Sequence, residues 1–210
     1  MRLLLASTSP RRKDLLALLQ VPFEIVEPVF EERVRQDVSP EEQACLIADG
    51  KARSCAERFP DRLVLGSDTL IAVGRTILGK PADRAGADRM LRQLRGREHL
   101  IHTAVALRGE AARIREWGVE TVRVWMKDFT DGELDEYLRT GESLGKAGAY
   151  SIQGAGGRLI ACIEGDFTAA VGLPLKLVAG LLTKHGMPVP VDVAQLYRAK
   201  PYPNWAVFQR

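Results

Sequence analysis

Short apolar runs punctuate the chain, and between them apolar residues return every three or four positions. The first run is Leu3-Leu4-Leu5-Ala6; past Ser7-Thr8-Ser9-Pro10, Leu15, Leu16, Leu18 and Leu19 recur at helical spacing. This predicts a strand, a short loop and a helix, with Ser9 as N-cap and Pro10 at the first helical position. Phe23 to Val26 predicts a second strand. Ser39-Pro40-Glu41-Glu42 is a capping box that opens a helix. Its inward stripe is Ala44, Ala48, Ala52, Cys55 and Ala56, and it should stop near Phe59-Pro60. Leu63-Val64-Leu65 and Leu70-Ile71-Ala72-Val73 then read as one strand buried on both faces and interrupted by Asp68. Gly74-Arg75 is a tight turn, Thr76 to Leu78 returns as a short strand, and Lys80 stands just before Pro81.

Further on, Ala85, Met90, Leu91 and Leu94 predict a helix that ends at Gly96 as C-cap. Leu100 to Leu107 and Val119 to Met126 predict an antiparallel ribbon around a turn near Gly109. A second capping box, Thr130-Asp131-Gly132-Glu133, opens a helix through Leu134, Tyr137 and Leu138. Leu159 to Ile163 resumes a strand, Glu164-Gly165-Asp166 turns, and Val171-Gly172-Leu173-Pro174-Leu175 leads into a last helix ending near His185-Gly186. The proline-rich tail from Met187 to Arg210 has little periodicity and is expected to wrap the surface or be loosely ordered.

Charged residues carry chemistry where this pattern does not call for them. A buried carboxylate must be paired, hydrogen-bonded or holding a metal, so Asp68 either caps a turn or has a partner elsewhere in the chain. Arg11 and Arg12 fall in the first turn of a helix, where the dipole disfavours cations by about a few tenths of a kcal/mol. With the hydroxyls of Ser7, Thr8 and Ser9 and the free amides there, they suit a polyphosphate; otherwise they are a solvated pair at a helix end. Lys51 lies in or beside the alanine stripe, either for a purpose or snorkelling to solvent. Glu31-Glu32 matter only if their loop folds back toward Asp68, where paired carboxylates could hold a hard divalent cation. His99 and His102, with no third ligand in view, read as strand-edge histidines without metal. The glycine-rich stretch 145–157 permits close backbone approach to a ligand, and Gln153 within it can donate and accept at a base edge.

Composition narrows the classes. Of 210 residues, 46% are hydrophobic and 27% charged, which fits a soluble globular chain of one domain or one domain with a lobe. A net charge of +3 from 30 basic and 27 acidic residues is too mild for a nucleic-acid partner, and no aromatic stacking series accompanies the arginines. Cys45, Cys55 and Cys162 form no CxxC, so neither a disulfide framework nor a zinc site is expected and a cytoplasmic location fits. The N-terminal apolar run is too short for a signal sequence, and no run is long enough to cross a membrane.

Four blocks carry a resemblance: LASTSPRRKDLL, GSDTLIAV with LGKP, KAGAYSIQG, and VGLPL. In this order, from Leu5 to about Leu182, they resemble the Maf family of nucleoside triphosphate pyrophosphatases. The resemblance implies an α/β fold, an elongated mixed β-sheet in two lobes with flanking helices and a central cleft, also found in inosine triphosphate pyrophosphatases. It implies one such domain over 1–186, an extension over 187–210, and a homodimer. The implied reaction is house-cleaning hydrolysis between the α and β phosphates, with a divalent cation such as Mg, Mn or Co. Position by position, Ser7, Arg11 and Arg12 belong to the phosphate-binding motif, Lys51 and Lys80 to the active-site lysines, Glu32 to the metal side, and Asp68 to the proton acceptor and metal site. Arg11, Thr69 and Gln153 fall where the family chooses its substrate. The Asp-Thr pair with a later Gln resembles the branch acting on dTTP and UTP. Ser67 replaces that branch's usual Ala and matches the 7-methyl-GTP branch instead. Gly50, a weak helix former beside Lys51, is expected to loosen that lysine. A 7-methyl-GTP pyrophosphatase and a non-hydrolytic nucleotide-binding regulator of septum formation are the alternatives.

Overall fold

The computed structural model describes residues 2–35 and 37–208. Its strands are β1 (Leu3–Ala6), β2 (Phe23–Val26), β3 (Leu63–Val73), β4 (Thr76–Leu78), β5 (Glu98–Gly109), β6 (Ile114–Met126) and β7 (Ile160–Glu164). Among the described residues they form one seven-stranded mixed sheet in the order β2-β1-β3-β5-β6-β7, with β4 paired to β3. β2, β1 and β3 run parallel, while β3, β5, β6 and β7 run antiparallel. β3 belongs to both halves and is interior, which accounts for its apolar residues on both faces. Gly74-Arg75 makes the expected two-residue turn, since Val73 pairs with Thr76 and Ile71 with Leu78.

The period-two alternation sends neighbouring strand residues to opposite faces. Leu3, Leu5, Leu63, Leu65 and Ile71 enter a large core with α1 (Pro10–Ala17), α3 (Arg84–Leu94), α4 (Asp131–Arg139), α5 (Phe167–Val171) and α6 (Leu175–Lys184). Leu4, Ala6, Val64, Ala104 and Ala106 meet one helix, α2 (Pro40–Ala56), through Ala44, Ala48, Ala52, Cys55 and Ala56. This contact is backbone-close: a Cβ on Gly66 would lie 2.3 Å from the Ala48 carbonyl oxygen. A bidentate pair, Arg108 donating through Nε and Nη2 to the two Asp49 carboxylate oxygens at 2.6 Å each, ties α2 to β5 on the same face.

Both capping boxes form as expected. Ser9 stands at the N-cap of α1 with Pro10 next, but its side chain makes no cap bond; its amide donates to Ser7 Oγ at 3.2 Å. The histidines are not at a strand edge, because β5 lies between β3 and β6. Three positions apart on one strand, they point to opposite faces and cannot share a ligand. His99 Nε2 lies 2.7 Å from Tyr150 Oη, and His102 Nδ1 lies 2.9 Å from Thr121 Oγ1. α5, only five residues long, has no sequence period to betray it.

The tail departs most from expectation. Residues 187–208 carry α7 (Val193–Ala199) and α8 (Trp205–Phe208), and Trp205 is fully buried against Phe167 with ring centroids 5.7 Å apart. Tyr197 Oη donates to Asp166 Oδ2 at 2.7 Å. Two helices of seven and four residues show no periodicity, so aromatic anchoring, not amphipathic patterning, orders the segment. No helix among the described residues is long and apolar enough to cross a membrane.

Candidate active site

The parallel register Ala6 to Gly66 puts Ser7 at the carboxyl end of β1, beside Ser67 and Asp68. Open α/β sheets place ligands at such carboxyl ends. Ser7 is buried, and its Oγ accepts from Arg12 Nη1 at 3.3 Å. Arg12 also donates through Nη2 to Thr69 Oγ1 at 3.2 Å and through Nε to the Gly172 carbonyl at 3.0 Å. Thr103 Oγ1 donates to the Ala169 carbonyl at 2.7 Å, and the Thr69 hydroxyl donates in turn to Thr103 Oγ1 at 3.0 Å. Arg12 is thus not a solvated helix-end residue. Burial pulls its pKa below the usual arginine value and Arg11 pulls the same way, while the charges of Asp68 and Glu32 oppose. It stays a cation across the physiological range.

Asp68 points to the other face, under α2. The alanine stripe brings the helix backbone against the sheet, so Lys51 reaches Asp68 Oδ1 at 2.6 Å with its side chain only 11% exposed. The same ammonium lies 2.6 Å from Glu32 Oε1. Glu32 therefore does fold back toward Asp68, although the two residues are far apart in sequence. Burial pushes the Glu32 carboxyl up, but the Lys51 hydrogen bond and the charges of Lys51, Lys80 and Arg12 outweigh it, leaving the group below the ordinary carboxylate value. Breaking a buried pair of the Lys51–Asp68 kind costs about 3–5 kcal/mol.

Gly50 explains how Glu32 arrives. A Cβ there would sit 2.2 Å from the Phe30 ring, so the missing side chain is the seat of Phe30. Instead of loosening Lys51, the glycine docks the Glu32 segment onto Lys51's own helix. Gln43, 1% exposed on α2, completes the docking: its Nε2 donates to the Arg33 carbonyl at 2.9 Å and its Oε1 accepts from the Arg35 amide at 2.8 Å. A glutamine within an alanine stripe was the available signal for this role.

Lys80 is exposed and near enough to act on Glu32. Beside it, the Gly148 amide donates to the Gly79 carbonyl at 3.1 Å, so the glycine-rich stretch borders the β3–β4 hairpin. Arg11 is half-buried; burial lowers its pKa, partly offset by Tyr202 and Glu142. Glu142 takes the amides of Ala155 at 2.8 Å and Gly156 at 3.0 Å, holding the loop just past Gln153. Gln153 is half-buried and makes no side-chain hydrogen bond among the described residues. The structure thus joins Ser7, Arg12, Glu32, Lys51, Asp68 and Thr69 through direct contacts or one shared charge field. Lys80 and Arg11 border that group, and no bond links Gln153 to it. Glu142, Gln43 and Thr103 were not read from the sequence, since each works only through long-range contacts.

Among the described residues no group of three or more His, Cys, Asp and Glu could hold a metal. Two oxygens nevertheless converge on one point, where the Lys51 ammonium stands in for a cation. One or two carboxylates, completed by water and phosphate oxygens, is the donor set that magnesium takes, so Glu32 and Asp68 fit such an ion.

A family model, Maf-like protein, matches residues 2–185. A Moorella thermoacetica protein named dTTP/UTP pyrophosphatase is 45% identical over 190 residues, covering 90% of this chain and 97% of that protein. Proteins of the same name from Symbiobacterium thermophilum and Pelotomaculum thermopropionicum are 43% and 41% identical, covering 90% and 88% of this chain and 96% of each relative. Among solved structures, the Staphylococcus aureus Ham1 protein aligns over 61% of this chain and 73% of that chain, with TM-score 0.44 and 16% identity.

Proposed function

The chain belongs to the Maf-like protein family, and on that premise we propose that it hydrolyses dTTP and UTP to the nucleoside monophosphate and pyrophosphate. The observation that carries this reading is the Lys51 ammonium held 2.6 Å from both Asp68 and Glu32, in the same charge field as Arg12. A triphosphate brings about four negative charges. Arg11 and Arg12 draw in the phosphates, with Ser7 orienting Arg12. Asp68 accepts the proton of the attacking water as the bridge between the α and β phosphates breaks. Lys51 and Lys80 donate to the oxygens on which charge builds in the leaving pyrophosphate. A divalent cation held by Glu32 and Asp68 would neutralise phosphate charge and act as a Lewis acid when bound.

Base choice falls to Thr69, Arg11 and Gln153. A site that hydrogen-bonds a pyrimidine edge rejects analogues lacking it far better than an apolar pocket does. The match of Ser67 to the 7-methyl-GTP branch does not weigh against dTTP and UTP. Its hydroxyl is fully buried on the face opposite Asp68 and donates to the Gly172 carbonyl at 3.2 Å, so it serves packing. Pairing of two copies belongs to the same reading, and equilibrium sedimentation at twice the monomer mass is its expected result.

The test separates pyrophosphate from phosphate among the products of dTTP, UTP and 7-methyl-GTP, assayed with magnesium, manganese and cobalt. The expected result is pyrophosphate from the two pyrimidine substrates, with kcat lowered about a thousandfold or more in Asp68→Asn while its circular dichroism is unchanged. Release of single phosphate, or full turnover by Asp68→Asn, defeats the proposal.

A further inference from the structure

Residues 187–208 lie past the 2–185 that the family model matches, yet they reach two of the residues assigned to substrate choice. Asn204 Nδ2 donates to the Ile152 carbonyl at 2.9 Å and to the Gly154 carbonyl at 3.2 Å, the peptide oxygens on either side of Gln153. The approach is close: a Cβ on Gly157 would lie 2.9 Å from the same nitrogen. Two residues earlier, Tyr202 is near enough to Arg11 for the two to act on each other electrostatically. The donor is fixed from below. Asn204 holds a left-handed φ of 64°, which asparagine tolerates better than most side chains, and the next residue is the buried Trp205. Glu142 grips the amides of residues 155 and 156 from the other side, so the backbone around Gln153 is clamped by an acceptor and a donor from separate segments.

We infer that Asn204 is a positioning residue for pyrimidine selection, through which the C-terminal segment fixes the loop that presents Gln153 to the base. This rests on the reading of the protein as a dTTP/UTP pyrophosphatase only for its substrate; the clamp itself rests on the contacts. The hydrogen bonds of Asn204 go to the Ile152 and Gly154 carbonyls and to none of Ser7, Arg11, Arg12, Lys51 and Lys80, so its effect falls on the base side of the site.

Two variants of the full chain test it. Asn204→Gly accepts the left-handed backbone without strain and removes only the amide. Asn204→Asp keeps the shape but turns an oxygen toward two carbonyl oxygens. Losing both hydrogen bonds raises KM for dTTP and UTP on the order of tenfold in Asn204→Gly, and further in Asn204→Asp. kcat and the inhibition constant for inorganic tripolyphosphate stay unchanged. Backbone amide exchange at Gly154 and Gly157 speeds up on the order of tenfold, confined to residues 151–157. A parallel fall in kcat and in tripolyphosphate affinity means a general loss of structure and overturns the inference, as does an unchanged KM or unchanged exchange. If the parent protein turns over neither dTTP nor UTP, the assigned function fails, and localised exchange in Asn204→Gly alone then decides whether the clamp stands.

Discussion

The Glu32 segment and the loop around Gln153 are both irregular backbone that delivers one side chain, but they are held in opposite ways. Phe30 and Gln43 seat the first on α2, the helix that also carries Lys51, so Glu32 and its partner move as one body. The second is held from three places: His99 of β5 through Tyr150, Glu142 after α4, and Asn204 in the tail. The charge cluster thus depends on one helix-to-sheet contact, whereas the loop around Gln153 depends on clamps that can change one at a time.

The strongest break in that contrast is Lys51→Met. It strips the shared cation from both carboxylates, and kcat/KM should fall about a thousandfold for every triphosphate regardless of base; a loss confined to pyrimidines would mean that Lys51 belongs to recognition instead. Next is the His99 clamp, which titrates. Burial lowers the His99 pKa to about 4, so the folded protein keeps it neutral where the unfolded chain takes up a proton near 6.5. The unfolded state then binds more protons between those values. The His99 contribution to stability should be fully present above pH 6.5 and fall by about 3 kcal/mol as the pH drops toward 4. His99→Phe should flatten the slope of urea-unfolding stability in that window, and an unaltered slope would show that His99 does not titrate differently on folding. The mildest is Gly50→Ala. Alanine adds up to about 1 kcal/mol of helix propensity, while its methyl drives Phe30 off the helix. The melting temperature should move by only about a few degrees. kcat should drop about tenfold as Glu32 loses its seat, and retained activity would show that Phe30 does not deliver it.

Local signals were legible and distant ones were not. The β3–β4 hairpin, both capping boxes and the start of α1 follow from residues within a few positions of one another, and all appear. Asp68 broke an apolar run, and Lys51 broke an alanine stripe. Each anomaly pointed to a partner without naming it, and the two proved to be each other's. The meaning of Gly50 was inverted, because the ring that needs its empty space belongs to a segment twenty residues upstream. Glu142 and Asn204 look like ordinary loop residues until the sheet is assembled, and Trp205 gave no period because one aromatic anchors a helix of four residues.

Because Gly66 of β3 meets the α2 backbone with no side chain between them, with a Cβ there 2.3 Å from the Ala48 carbonyl oxygen, the helix cannot slide or roll at this point without riding over the peptide plane at Ala48. The height of the ammonium above the strand is therefore gauged by side chains that do not exist. Enlarging Gly66 would therefore lift Lys51 away from Asp68 and part the ion pair without touching either of its members.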